Sequence, residues 1–92
     1  MNEINRIEKL IKQKEIFVLL EDIVRYIEYK TVTKLDIQYV GFGYRISGMR
    51  WNTESDCEFV FLYESHKTLL REALLELAVK LANNELKNVE SI

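Results

Sequence analysis

The sequence predicts an α+β fold: a three-stranded antiparallel β-meander covered by one or two N-terminal helices and a long C-terminal helix. Three observations carry that expectation. Apolar residues recur at helical spacing up to residue 29, alternate with polar residues between 35 and 63, and return to helical spacing after residue 66. These two periods, ~3.6 and 2, separate helix faces from strand faces. At 92 residues the chain can bury one modest core, so a single domain over 1–92 is expected.

The first element is read from Asn2 to Lys14. Ile4, Ile7, Leu10 and Ile11 fall on one arc, with charges elsewhere, which predicts an amphipathic helix. Over Glu15–Tyr29, the residues Ile16, Phe17, Leu19, Leu20, Ile23, Val24 and Ile27 share a face opposed by Glu21, Arg25 and Glu28, which predicts a second helix. The run Ile16–Leu20 also fits a short strand, because a brief apolar run has no diagnostic period.

Beyond Lys30, Leu35, Ile37 and Tyr39 alternate with Asp36 and Gln38, and predict a half-buried strand. Gly41 and Gly43 mark a tight connection or bulge. The alternation of Phe42, Tyr44 and Ile46 with Arg45 and Ser47 predicts a second strand. After a loop at Asn52–Ser55, Cys57, Phe59, Phe61 and Tyr63 alternate with Glu58, Val60 and Leu62 in a third. Ser65 is placed as N-cap of a helix running from about His66 to Leu86. A three-stranded sheet with one apolar face needs helices over it, so the two layers follow.

That last helix is apolar on two sides. Leu70, Leu74, Leu77 and Leu81 form the stripe expected to meet the sheet; Leu75, Val79, Ala82 and Leu86 form a second. The N-terminal helices, a second copy in a homodimer, or another partner could cover the second stripe.

Composition excludes several classes. The chain is 48% hydrophobic and 30% charged, values of an ordinary globular protein rather than a disordered one. A net charge of −2 lacks the basic surplus that supplies most non-specific nucleic-acid affinity. Cys57 stands alone, so no internal disulfide forms. The start is polar, without a signal-peptide core, and the longest apolar run is too short to span a bilayer. A cytoplasmic location, without membrane attachment, is the expectation. The absence of proline, with abundant Ile, Lys, Asn, Glu and Leu, has the bias of AT-rich coding sequence and points to a low-GC bacterium or its phages.

Candidate chemistry is sparse. Cys57 and His66 are the only thiol and imidazole, and Cys57 falls among strand aromatics, where an inert buried thiol is usual. GxSxG, HExxH, P-loop and CxxC motifs are lacking, so neither enzyme activity nor a cofactor or metal is expected.

Gly41-Phe42-Gly43-Tyr44 resembles the middle of the RNP1 strand signature of RNA-recognition domains. The resemblance implies stacking of single-stranded RNA or DNA on Phe42 and Tyr44, with Arg45 beside them. Val40 departs from the basic position of that signature, and Ser47 from its last aromatic. Leu35–Glu64 holds two arginines against five carboxylates, a balance that repels phosphate.

Glu54, Asp56 and Glu58 alternate at ~6.6 Å intervals, and Glu64 could continue the row. Such a row could meet a basic groove on another protein. Arg50 and Trp51 beside it are residue types enriched at binding hot spots. The leading expectation is therefore a small non-enzymatic protein acting through protein–protein contact as a regulator or inhibitor. A phage or mobile-element anti-defence protein of the anti-CRISPR type is one concrete version. The alternatives are the single-stranded nucleic-acid binder and a structural homodimer subunit.

Overall fold

A computed structural model describes residues 2–13, 18–53 and 56–85. Its order is α1 (Asn2–Lys12), α2 (Leu20–Thr31), β1 (Lys34–Tyr39), β2 (Tyr44–Thr53), β3 (Asp56–Ser65) and α3 (Leu70–Ala82). The strands form one antiparallel sheet in the order β1-β2-β3. This is the expected α+β meander with its helices.

Each helix contributes an apolar stripe to one core. Ile7 and Ile11 of α1, Ile23, Tyr26 and Ile27 of α2, and Leu74 and Leu77 of α3 are all buried, together with Ile46 and Phe61 from the sheet. Ala73, Ala78 and Ala82 are buried too, and their small side chains let α3 approach its neighbours closely. α3 packs against α1, α2, β2 and β3.

Two tyrosine–carboxylate hydrogen bonds tie neighbouring elements, one helix to helix and one sheet to helix. The Tyr26 hydroxyl of α2 donates to Glu8 of α1, and the Tyr63 hydroxyl of β3 donates to Glu76 of α3. Burial, then the bonded carboxylate, raises the pKa of both phenols above the ordinary tyrosine value. Glu8 is held below the usual carboxylate range, first by the Tyr26 hydrogen bond and then by Lys30 and Lys12, against a partial opposing effect of burial.

Several boundaries differ from expectation. The second helix begins at Leu20 rather than Glu15; residues 14–17 lie outside the described residues, and Val18 and Leu19 are neither helix nor strand. Asn52 and Thr53, expected in a loop, belong to β2. Phe42, expected in the second strand, lies in the connection between β1 and β2, where Gly41 has φ +88° and Val40 N–H donates to Gly43 O. Only a residue without a Cβ adopts that φ at little cost.

Ser65 does not cap α3. It ends β3, and the helix starts at Leu70 with Leu69 as an N-cap lacking a side-chain hydrogen bond. The Ser65 hydroxyl instead accepts from Lys67 N–H, at 3.1 Å, and holds the turn that leaves the strand. Within the described residues no helix is long and apolar enough to cross a membrane.

Candidate functional site: the outer face of the sheet

All three helices lie on one side of the sheet, and the strand register decides what the other side shows. Ile37 pairs with Ile46 and Ile46 with Tyr63; all three pack in or against the core. By alternation, Asp36, Gln38, Arg45, Ser47 and Leu62 point to the opposite, outer side. Asp36, Gln38, Arg45, Ser47, Phe59 and Leu62 together line a shallow depression of about 440 Å³ there.

Phe59 reaches that side through a β-bulge. Gly48 pairs with Phe61 but Met49 pairs with Phe59, so Val60 is an extra residue in β3. One extra residue reverses the facing of everything beyond it. Phe61 is buried, whereas Phe59 turns outward and is 40% exposed. Cys57, two residues before Phe59, shares its facing and lies opposite Trp51, which is 60% exposed. Met49, Trp51, Cys57, Phe59 and Leu62 thereby form a contiguous apolar strip over β2 and β3.

The reading of Cys57, Phe59, Phe61 and Tyr63 as one inward set is corrected by this bulge. Only Phe61 and Tyr63 take the helix side. The signal was present as the unbroken run Phe59-Val60-Phe61-Leu62-Tyr63, in which strict alternation gives way. Met49, Phe59 and Leu62 are the site residues that sequence reasoning missed.

The acidic row is divided. Glu54 lies outside the described residues. Asp56 and Glu58 are exposed, and alternation puts Glu58, paired with Arg50, on the side away from Phe59. Glu64 lies on the outer side, where its carboxylate takes two hydrogen bonds from Arg45, at 3.0 and 3.1 Å. Glu64 therefore does not continue a row from Glu58. Among the described residues, charge on the outer face balances, with Lys34 and Arg45 against Asp36 and Glu64.

Arg50 and Trp51 also part company. The Arg50 guanidinium donates to the carbonyls of Val32 and Thr31, at 2.9 Å each, and so closes the C-terminal end of α2. Trp51 alone is available on the outer face.

The nucleic-acid set is likewise dispersed. Phe42 sits in the connection beside the His66 ring, with centroids 5.7 Å apart. Tyr44 packs toward the core and against Tyr39, with centroids 5.3 Å apart. Arg45 is on the other face, paired with Glu64. These three residues make no common stacking platform.

On α3, Ala82 is buried, and Leu75 and Val79 are half-buried on the floor of an open groove. Leu86 lies outside the described residues. Cys57 and His66 stand toward opposite ends of β3, on the order of 30 Å apart along an extended strand, so they form no nucleophile–base pair. Among the described residues no three His, Cys, Asp or Glu side chains are grouped to hold a metal ion.

Comparison with known proteins returns no matching family model, no significant match among curated proteins and none among solved structures.

Proposed function

We propose that this chain is a small non-enzymatic protein that works through protein–protein contact, as a regulator or inhibitor, with the outer face of the sheet as its contact surface. The observation that carries the reading is the apolar strip of Met49, Trp51, Phe59 and Leu62 on the face that none of the described helices covers. An antiparallel sheet with one free face ordinarily presents polar residues there. Apolar patches left facing water in soluble proteins mark contact sites, and tryptophan is a frequent anchor within them.

The balanced charge of the face favours a partner recognised by shape and apolar contact over one steered by long-range attraction. It also lacks the cationic surplus that phosphate binding needs. Composition supports action in the cytosol, and an anti-defence inhibitor from a phage or mobile element is the concrete form in keeping with the AT-rich bias.

The test is capture from a low-GC bacterial lysate, with and without nuclease, using wild-type chain and a Trp51→Glu/Phe59→Glu variant as baits. A stoichiometric protein that survives nuclease and is lost with the variant is expected. Capture unaffected by the two substitutions would move the contact surface elsewhere. Loss of all capture on nuclease treatment would replace the protein partner with a nucleic acid.

A further inference from the structure

Helix α3 has a second, partly exposed side. At ~100° per residue, Glu72, Leu75, Glu76 and Val79 cluster on the side opposite the buried Leu74 and Leu77. Leu75 and Val79 floor a groove of about 400 Å³ that is also lined by Lys67, Glu72, Glu76, Lys80 and Glu85.

The charges along this groove are antisymmetric about Glu76. Glu72 lies four residues before it and Lys80 four after, both within the helix. An arrangement of this kind is matched by itself reversed. We infer that the groove is filled by the same groove of a second copy, with the two α3 helices antiparallel about a two-fold axis level with Glu76.

Under that symmetry, residues equidistant from the axis meet across it. Glu72 faces the second copy's Lys80, and Lys80 its Glu72, giving two opposite-charge contacts over the whole interface. Leu75 and Val79 from the two copies interleave at ~3 Å steps along the helices, as the 1.5 Å rise dictates. The one like-charge approach is between the two Glu76 residues. Each of these is engaged by its own chain, where it accepts from the Tyr63 hydroxyl and, at 3.4 Å, from the Ser65 hydroxyl. The surface is separate from the outer sheet face, so dimerisation leaves the proposed contact surface open.

A 13-residue helix is ~20 Å long and offers less than the ~800 Å² per partner of a standard interface. The dimer is therefore weak and reversible, and is read over a concentration series. Light scattering or equilibrium sedimentation from about 1 μM to 1 mM should show the 11.0 kDa chain rising toward twice that mass.

Charge exchange supplies the decisive arm. Glu72→Lys alone and Lys80→Glu alone each create two like-charge contacts and should weaken self-association roughly tenfold or more. The double variant should regain it, and an equimolar mixture of the two single variants should form a heterodimer that neither makes alone. Circular dichroism confirms that each variant is folded. A wild type monomeric at ~1 mM would overturn the inference, as would single variants that dimerise like wild type or a mixture no better than its components. A dimer abolished by Trp51→Glu instead would overturn it and pair the copies through the sheet, whereas lysate capture tests the sheet-face reading separately.

Discussion

The ring of Phe61 lies across Gly48, in the space that a side chain at position 48 would occupy. A Cβ built on Gly48 would stand 2.1 Å from Phe61 Cε1 and 2.7 Å from Thr33 Oγ1. The central strand thus gives up a side chain so that its neighbour can bury an aromatic ring.

Gly48→Ala should therefore destabilise the fold by about 1–3 kcal/mol through overpacking. The two positions should also couple: Phe61→Leu should cost less in the Gly48→Ala background than in wild type, with an interaction of about 0.5–3 kcal/mol. Urea denaturation of the four chains measures both. Strict additivity would mean that Phe61 does not pack over Gly48.

The bulge at Val60 separates two phenylalanines only two residues apart. Phe61→Ala should cost about 3–5 kcal/mol, the range for truncating a buried aromatic. Phe59→Ala should cost less than about 1 kcal/mol, because its ring faces out. Similar losses at the two sites would place both rings in the core and remove the outward apolar strip.

The C-terminal end of α2 and the N-terminal end of α3 each hold a residue that the local backbone disfavours. Val32, the residue closing α2, has φ 54° and ψ 50°, a left-handed conformation unfavourable for a β-branched side chain. Val32→Gly should stabilise by about 1 kcal/mol, and Leu69→Ser, which supplies an N-cap oxygen to α3, by a similar amount. Each should raise the thermal midpoint by about 4–8 °C in a domain of this size. A fall at position 32 would show that the Val32 side chain contributes packing that outweighs the backbone gain.

The tyrosine–carboxylate bonds make stability depend on pH at both extremes. Glu8 titrates below its unfolded value of 4.5, so the unfolded chain takes up its proton first. That contribution is complete above about pH 4.5 and is lost as pH falls through the lower folded value. Tyr26 and Tyr63 titrate above their unfolded value of 10.0, so their contribution is complete below about pH 10 and is lost as pH rises beyond it. Urea midpoints should be level near neutrality and decline on both sides. Tyr26→Phe with Tyr63→Phe should flatten the alkaline decline; an unchanged alkaline limb in that variant would assign it to other groups.

Legibility in the sequence followed the range of the interactions involved. The repeating apolar residues of α1, α2 and α3 are local signals, and each predicted a helix at nearly the right place. Boundaries slipped where a local preference met a competing contact. Ser65 has the chemistry of an N-cap, yet the pairing of Tyr44 with Ser65 carries β3 through it. The Gly41–Gly43 resemblance to an RNA-binding strand likewise failed on register, since Phe42 falls in the connection and Tyr44 turns toward the core.

The sequence by itself determined the α+β class, the three-stranded meander and the helical cover, because side-chain periodicity reports which face of each element must leave water. Only the tertiary structure decided which residues the sheet turns outward. A single inserted residue at Val60 reverses the facing of Phe59 and Cys57 while leaving their spacing in the chain unremarkable. Cross-strand register alone determines where that residue is accommodated, and register is a relationship between segments that no single segment encodes. The same holds for Arg50 and Trp51: adjacent in the chain, they part because neighbouring strand residues face opposite ways, one to close α2 and the other to meet solvent.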